Sequence, residues 1–179
     1  MRFLIVCMAM VLTPAWSQEI KFPPSFEKLA AKAVENVNVR LDGTMLQAAG
    51  QFLSSEKADE KEAKKLVSGL KGIQVRSFEF AKEGEYSNAD VAPIRTQLLH
   101  QGWAQIVAAS SKKDRESAEI YVRREGGRVV GITVLAMEPK ELTVVHIDGS
   151  IDLEGLSKLG GQFGVPEIDM NIKAPATKK

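Results

Sequence analysis

The stretch Trp103–Asp148, WAQIVAASSKKDRESAEIYVRREGGRVVGITVLAMEPKELTVVHID, decides how this chain folds. It holds four strand-like runs, WAQIVAASS, SAEIYVRRE, RVVGITVLAM and ELTVVHID, joined only by SKKDRE, GG and EPK. Connections this short favour antiparallel hairpins, because a parallel pair needs a crossover of a dozen or more residues. Glu125-Gly126-Gly127-Arg128 is a particularly good tight turn. In SAEIYVRRE, Ala118, Ile120 and Val122 point one way while Glu119, Tyr121 and Arg123 point the other, the pattern of a half-solvated strand. The last two runs differ. Val130, Ile132 and Val134 oppose Val129 and Leu135, and Val145 and Ile147 oppose Leu142 and Val144, so both faces read as apolar. A strand apolar on both sides is either covered on both sides or contributes to an interaction surface.

Working outward, ENVNVRLD alternates with period two and predicts a half-buried strand. A short helix precedes it from Ser25, with Phe26, Leu29, Ala30 and Ala33 on one stripe. Thr44 with Gln47 fits a capping box, opening a helix whose stripe is Met45, Ala48, Ala49 and Phe52. A second helix from Asp59 turns Ala63, Leu66, Val67 and Leu70 inward. GIQVRSFEFAK predicts a strand whose apolar positions change parity between Ile73, Val75 and Phe78, Phe80. Either the two faces are covered at different ends or a bulge shifts the phase. SNADVAPIRTQLLHQG predicts a helix capped by Asp90, which places Pro93 in its first turn, and stopped by Gly102. After the meander, Asp152 caps a helix carrying Leu153, Leu156 and Leu159, with Gly160 or Gly161 ending it and Phe163 folding back onto the core. This order predicts an α+β single domain: a mainly antiparallel sheet of about six strands with helices packed on one face.

The N-terminus carries Arg2, an apolar run from Phe3 to Leu12, and small residues Ala15 and Ser17 at −3 and −1 of a cut before Gln18. Residues 1–17 therefore read as a signal peptide, the run being too short to span a bilayer, for which about 20 residues are needed. The expected organisation is 1–17 signal peptide, 18–24 short linker, 25–169 domain and 170–179 disordered tail. The protein is expected to be exported, periplasmic or secreted, with no stable membrane anchor once the signal is removed. Cys7, the single cysteine, leaves with that segment. Thiol catalysis and zinc–cysteine sites are then excluded. Losing Arg2 from 24 basic residues matches them to the 23 acidic ones. A neutral chain lacks the field on which nonspecific nucleic-acid binding depends, so no nucleic-acid partner is expected.

His146 and Asp148 share one strand face, so H-x-D can present an imidazole and a carboxylate together. The iron triad with this spacing needs a second, downstream histidine, but His100 lies upstream at a helix end, which leaves a weak pair. The expectation is that Asp148 and Gly149 begin a turn, that His146 is a partly exposed strand residue, and that no metal or cofactor is bound. GGQFG follows a helix rather than opening one, so it does not make a phosphate loop. There is no G-x-S-x-G elbow and no S-x-x-K with K-T-G. Glu79, Glu83 and Glu85 cluster near a strand end as the only paired-carboxylate option, and a solvated turn is the better account of them. Trp103, Tyr121, Arg76, Arg95, Arg123 and Arg124 could form an aromatic–basic surface, opposed by Glu119, Glu125 and the neutral total. The motif content leans away from an enzyme and names no catalytic residue.

VRSFEFAKEGEYSNADVAPIRTQL and AMEPKELTVVHIDGSIDLEGLSKLGGQFGVP together resemble the bacterial family catalogued as domain of unknown function 4252. The resemblance runs from about Phe26 to Ile168. It implies a single exported domain and lends no catalytic residue, substrate or cofactor.

The leading functional expectation is a non-enzymatic domain that binds an unknown protein partner or a second copy of itself through an apolar sheet face. Val130, Ile132, Val134, Leu142, Val144 and His146 are the candidate contributors. The alternative is a carrier or sensor of a small apolar ligand in a cleft between sheet and helices, lined by Met45, Phe52, Phe78 and Phe80.

Overall fold

The computed structural model describes residues 19–53, 58–100 and 102–151. Its elements run α1 (Ser25–Lys32), β1 (Glu35–Asp42), α2 (Gly43–Gln51), α3 (Ala58–Gly69), β2 (Leu70–Glu79), α4 (Asn88–Leu98), β3 (Trp103–Ser111), β4 (Glu116–Glu125), β5 (Arg128–Met137) and β6 (Glu141–Gly149). The six strands form one sheet in the order β1-β2-β6-β5-β4-β3, antiparallel throughout. The expected α+β architecture is the one observed. The helix expected from Asp152 lies outside the described residues, as do residues 1–17 and the tail.

The meander closes through tight turns. Gly126 and Gly127 have φ of 56° and 80°, the left-handed pair that a two-residue hairpin turn demands. The β2 ladder with β6 runs unbroken from Gly72 to Glu79, and the irregularity falls earlier, between Leu70 and Gly72. The parity change expected in β2 is therefore not a mid-strand bulge. Ile73 and Val75 face one side, Phe78 and Phe80 the other.

The main core lies between one sheet face, here the inner face, and helices α1 and α4. Phe26 and Leu29 of α1 and Val91, Ile94 and Leu98 of α4 pack with Phe78, Phe80, Leu135, Met137, Leu142 and Val144. Phe26 meets Phe78 edge-on at 5.3 Å between ring centroids, a favoured aromatic arrangement. Ile20 is buried in this core, and Lys21 exchanges two hydrogen bonds with Gln97, its N–H donating to Oε1 (2.9 Å) and its carbonyl accepting from Nε2 (2.8 Å). Residues 19–22, expected as linker, thus lie against the domain.

Three helix details differ from expectation. The cap of α2 is Asp42, whose carboxylate accepts from the Met45 N–H at 2.9 Å, and the helix starts before Thr44. Its buried positions are Leu46 and Gly50, leaving Met45 and Phe52 54% and 90% exposed. In α4 the cap is Ser87, with Asp90 at the third helical position accepting from the Ser87 N–H at 2.9 Å. Pro93 consequently sits inside the helix, on its exposed side.

Phe78 is fully buried between Phe26 and Phe80. Truncation to alanine should cost about 3–5 kcal/mol, as for other large-to-small changes at buried aromatics. Denaturant unfolding of Phe78→Ala checks this, and a loss below about 1 kcal/mol would place Phe78 outside the cooperative core.

Candidate interaction face and a buried polar row

Cross-strand register assigns each side chain to a face, because directly paired residues project to the same side. On the outer face, Val39, Val75, Val145, Val134, Ile120 and Val107 form a continuous row across all six strands. A second row is Leu41, Ile73, Ile147, Ile132, Val122 and Ala104, and a third is Val37, Ser77, Thr143, Ala136, Ala118 and Ala109. Sixteen apolar side chains in register make this a continuous, largely β-branched surface. The buried residues on it are confined to one end, where Val122, Val129, Ile132 and Ile151 cluster with Leu70, Ile120, Val134 and Ile147 around them. At the other margin Val37 and Val39 are 38% and 37% exposed.

The structure divides the six candidate face residues. Ile132 and Val134 lie on the outer face. Leu142 and Val144 lie on the inner face, fully buried under α1 and α4, and His146 shares that face. Val130 falls in the irregularity where Arg123 pairs with Gly131 but Arg124 with Val129; the phase shift puts Val129 in the outer cluster instead. The signal that locates Val145 and Ile147 is the EPK turn: with Met137 opposite Leu142, counting back sets Val134 opposite Val145. Of the residues proposed to line a ligand cleft, Phe78 and Phe80 are core, whereas Met45 and Phe52 are exposed on α2.

Beyond the apolar core, the inner face carries a polar row. Gln74, His146 and Thr133 are paired across β2, β6 and β5, and Asp148, Gly131 and Arg123 across β6, β5 and β4. His146, expected as partly exposed, is 2% exposed. Asp148 is a full strand residue rather than the start of a turn. Thr133 Oγ1 lies 3.0 Å from His146 Nδ1, and Arg123 Nη2 donates to Asp148 Oδ1 at 3.0 Å. Trp103 closes over this row. Its ring lies 5.7 Å from the imidazole and 5.8 Å from the Arg123 guanidinium carbon. A Cβ at residue 131 would come within 2.8 Å of the indole, so Gly131 is what lets Trp103 approach the sheet.

Burial pushes the His146 imidazole down to about 4, with Asp148 opposing and Arg123 adding to the effect. The ring is neutral at pH 7. Several of the other candidate charges are paired. Arg76 bonds Glu27 and Arg115 bonds Glu83 at 2.6 Å, and Lys32 lies 3.9 Å from Glu85. Arg95 grips Glu119 through Nε (3.0 Å) and Nη2 (2.7 Å), and Tyr121 donates to the same carboxylate at 2.7 Å. Burial raises the Glu119 carboxyl, but these hydrogen bonds outweigh it and hold the group below its usual range. The arginines and aromatics expected to compose a basic surface are thus tied largely into ion pairs across the inner face.

The arrangement defines a single-sheet α+β domain with one helix-covered face and one apolar face. The sequence profile of the family described as domain of unknown function 4252 matches residues 30–159, and the chain belongs to that family. No curated protein and no solved structure matches the chain.

The state of His146 sets a pH dependence. A histidine in the unfolded chain titrates near 6.5, so between there and about 4 the unfolded state holds one more proton than the folded state. Stability is unaffected by this group above pH 6.5 and falls as pH drops through the window, by about 1.4 kcal/mol per unit and on the order of 3 kcal/mol in all. Urea unfolding from pH 7 to 4 should show this slope, and His146→Gln should flatten it. An unchanged slope in the variant would remove His146 as its source.

Proposed function

We propose that this protein is an exported, non-enzymatic binding module that self-associates through the outer sheet face, its occupant being the same face of a second copy. The observation carrying this reading is the registered apolar surface described above. Six strands at about 4.8 Å and three rows at about 6.8 Å, with side-chain width added, give a face of roughly 500 Å² per copy, part of which, around Val122 and Ile132, is already covered within the copy. Two such faces therefore bury less than about 1,000 Å², the range of a weak, reversible interface. An apolar β-branched face can also pack on a copy of itself, since two twisted sheets pack face to face at about 10 Å. Export is supported by the basic–apolar–small pattern of residues 1–17. The pairing of Arg76, Arg95, Arg115 and Arg123 within the fold favours binding through apolar surface over binding of an anionic ligand.

Sedimentation of the purified protein across a concentration series should show a reversible monomer–dimer equilibrium. Val134→Glu, which sets a carboxylate at the centre of the face, should abolish the dimer while retaining a cooperative melt. If Val134→Glu does not fold, Val39→Glu at the exposed margin serves instead. A monomer at every concentration overturns self-association, and a monomer whose co-purified protein is lost in either variant assigns the face to a different partner.

A further inference from the structure

We infer that the polar end of the inner sheet face binds a small uncharged molecule bearing a carboxamide, held between His146 Nε2 and the Asp148 carboxylate over Gly72. The site lies on the side of the sheet opposite the self-associating face and does not depend on it.

The imidazole sets the first half of the ligand's chemistry. His146 is 2% exposed, and its Nε2 is buried with no hydrogen-bond partner among the described residues. Its Nδ1 lies 3.0 Å from Thr133 Oγ1. If Thr133 accepted from an Nδ1–H, its own hydroxyl hydrogen and the Nε2 lone pair would both lack partners. If Thr133 donates to Nδ1, only the Nε2–H does. Each buried polar group left unpaired keeps its full desolvation penalty, so the second arrangement is favoured. The ring therefore offers a neutral N–H to an accepting oxygen.

Gly72 supplies the room. It pairs with Asp148 across β2 and β6, while Gln74, two residues on, pairs with His146. Gly72 is thus a direct neighbour of Asp148 and a diagonal neighbour of the imidazole on the same face. A Cβ at residue 72 would meet nothing among the described residues nearer than the Leu41 carbonyl at 3.5 Å. Gly131, on the other side of Asp148, differs, because the Trp103 indole fills the place of its side chain. Gly72 is only partly buried, so this side is the one open to entry. The Trp103 ring, 5.7 Å from the imidazole, walls the other.

Charge sets the second half. Arg123 donates to Asp148 at 3.0 Å and lies 3.5 Å from Glu125, and Arg40 lies 2.6 Å from Glu19, which also bonds Gln74. An anion meets no unmatched cation here, and a cation would face the Nε2–H and Arg123. An uncharged ligand fits. A carboxylate has about four lone-pair sites, so Asp148 can accept from a ligand N–H while it holds Arg123. A carboxamide supplies both groups: its carbonyl accepts from Nε2–H and its N–H donates to Asp148. Water carries the same acceptor and donor, but the diagonal from Gly72 to His146 is about 7–8 Å, more than one water spans.

The test uses the purified full chain with isotope-labelled histidine and acetamide as the probe. Nitrogen shifts should give His146 as the Nε2–H tautomer. Acetamide should move the His146 and Trp103 side-chain resonances saturably and leave His100 in place, and acetate at the same concentration should not. Gly72→Val, which fills the room over β2, should weaken acetamide binding about tenfold, read as the ratio of dissociation constants. Should that variant not fold, Gly72→Ala, for which the 3.5 Å clearance is ordinary contact, should weaken it in the same direction. An Nδ1–H tautomer, equal shifts with acetate, or an affinity indifferent to residue 72 overturns the inference. So does an Nε2–H that ignores acetamide and exchanges with solvent alone, which assigns the place to a water molecule. A chain that stays monomeric at every concentration yet binds acetamide supports this site and overturns self-association instead.

Discussion

The pairing of β2 with β6 is the constraint on which the rest of the structure depends. Those strands are separated in sequence by α4 and the whole β3–β5 meander, yet they run in register from Gly72–Asp148 to Glu79–Glu141. The meander alone has one exposed edge at β3 and would have another at β6. Adding β2, and with it β1, makes β6 an interior strand and brings Phe78 and Phe80 beneath α1 and α4. Because side chains alternate along a strand, a slip of one residue in this pairing would send Phe78 and Arg76 to the wrong faces together. The register is held by that consequence, with apolar residues demanded on both sides at different ends of β2.

Those two ends solve different problems. Toward Glu79 the inner face is an aromatic and aliphatic core. Toward Gly72 it is polar, and burying polar groups is tolerable only when they find partners. Gln74 is bonded by Glu19, Arg76 by Glu27, Arg123 by Asp148, and the His146 ring by Thr133 at Nδ1, while His146 Nε2 is buried without a hydrogen-bond partner among the described residues. Glu19, bonded to Gln74, and the indole of Trp103, beside His146 and Arg123, lie over this end. A neutral imidazole is the form compatible with such a site, since a charged ring would add an ion to a row that already holds a buried ion pair.

Much of this was legible in the residues. Period-two alternation, short connections and the Gly126-Gly127 turn give the four-strand meander, and alternation in ENVNVRLD gives β1. What alternation does not give is which strands are neighbours. Without the β2–β6 pairing, Leu142 and Val144 are as good candidates for an interaction face as Val145 and Ile147. The burial of His146 was hidden for the same reason: a polar residue in a strand reads as exposed, and only the approach of Trp103 over Gly131 covers it. Helix α2 shows a competing effect. Its sequence offers two overlapping stripes, and packing against β1, β2 and α3 selects Leu46 and Gly50 rather than Met45 and Phe52. The caps at Asp42 and Ser87 were masked by equally plausible hydroxyl and carboxylate residues two or three positions later.

A sheet with one face sealed by helices leaves the other face as the place where function can be added without disturbing the fold. On the inner face nearly every change touches a buried ring, an ion pair or the Trp103 contact. On the outer face the valines of the central row nearest β1, such as the exposed Val39, contribute area away from the buried cluster around Ile132, so their replacement is first a change of surface. The chemistry of that surface is mostly aliphatic, short and low in side-chain entropy, interrupted in its third row by Ser77 and Thr143, whose hydroxyls bond each other at 2.7 Å. Such a surface gains from exclusion of water alone and imposes little directional preference on what covers it. Selectivity must then come from geometry and proximity rather than from hydrogen-bond complementarity. Both are supplied by a registered six-strand face whose one end is already closed by Ile151 packed with Val122, Val129 and Ile132.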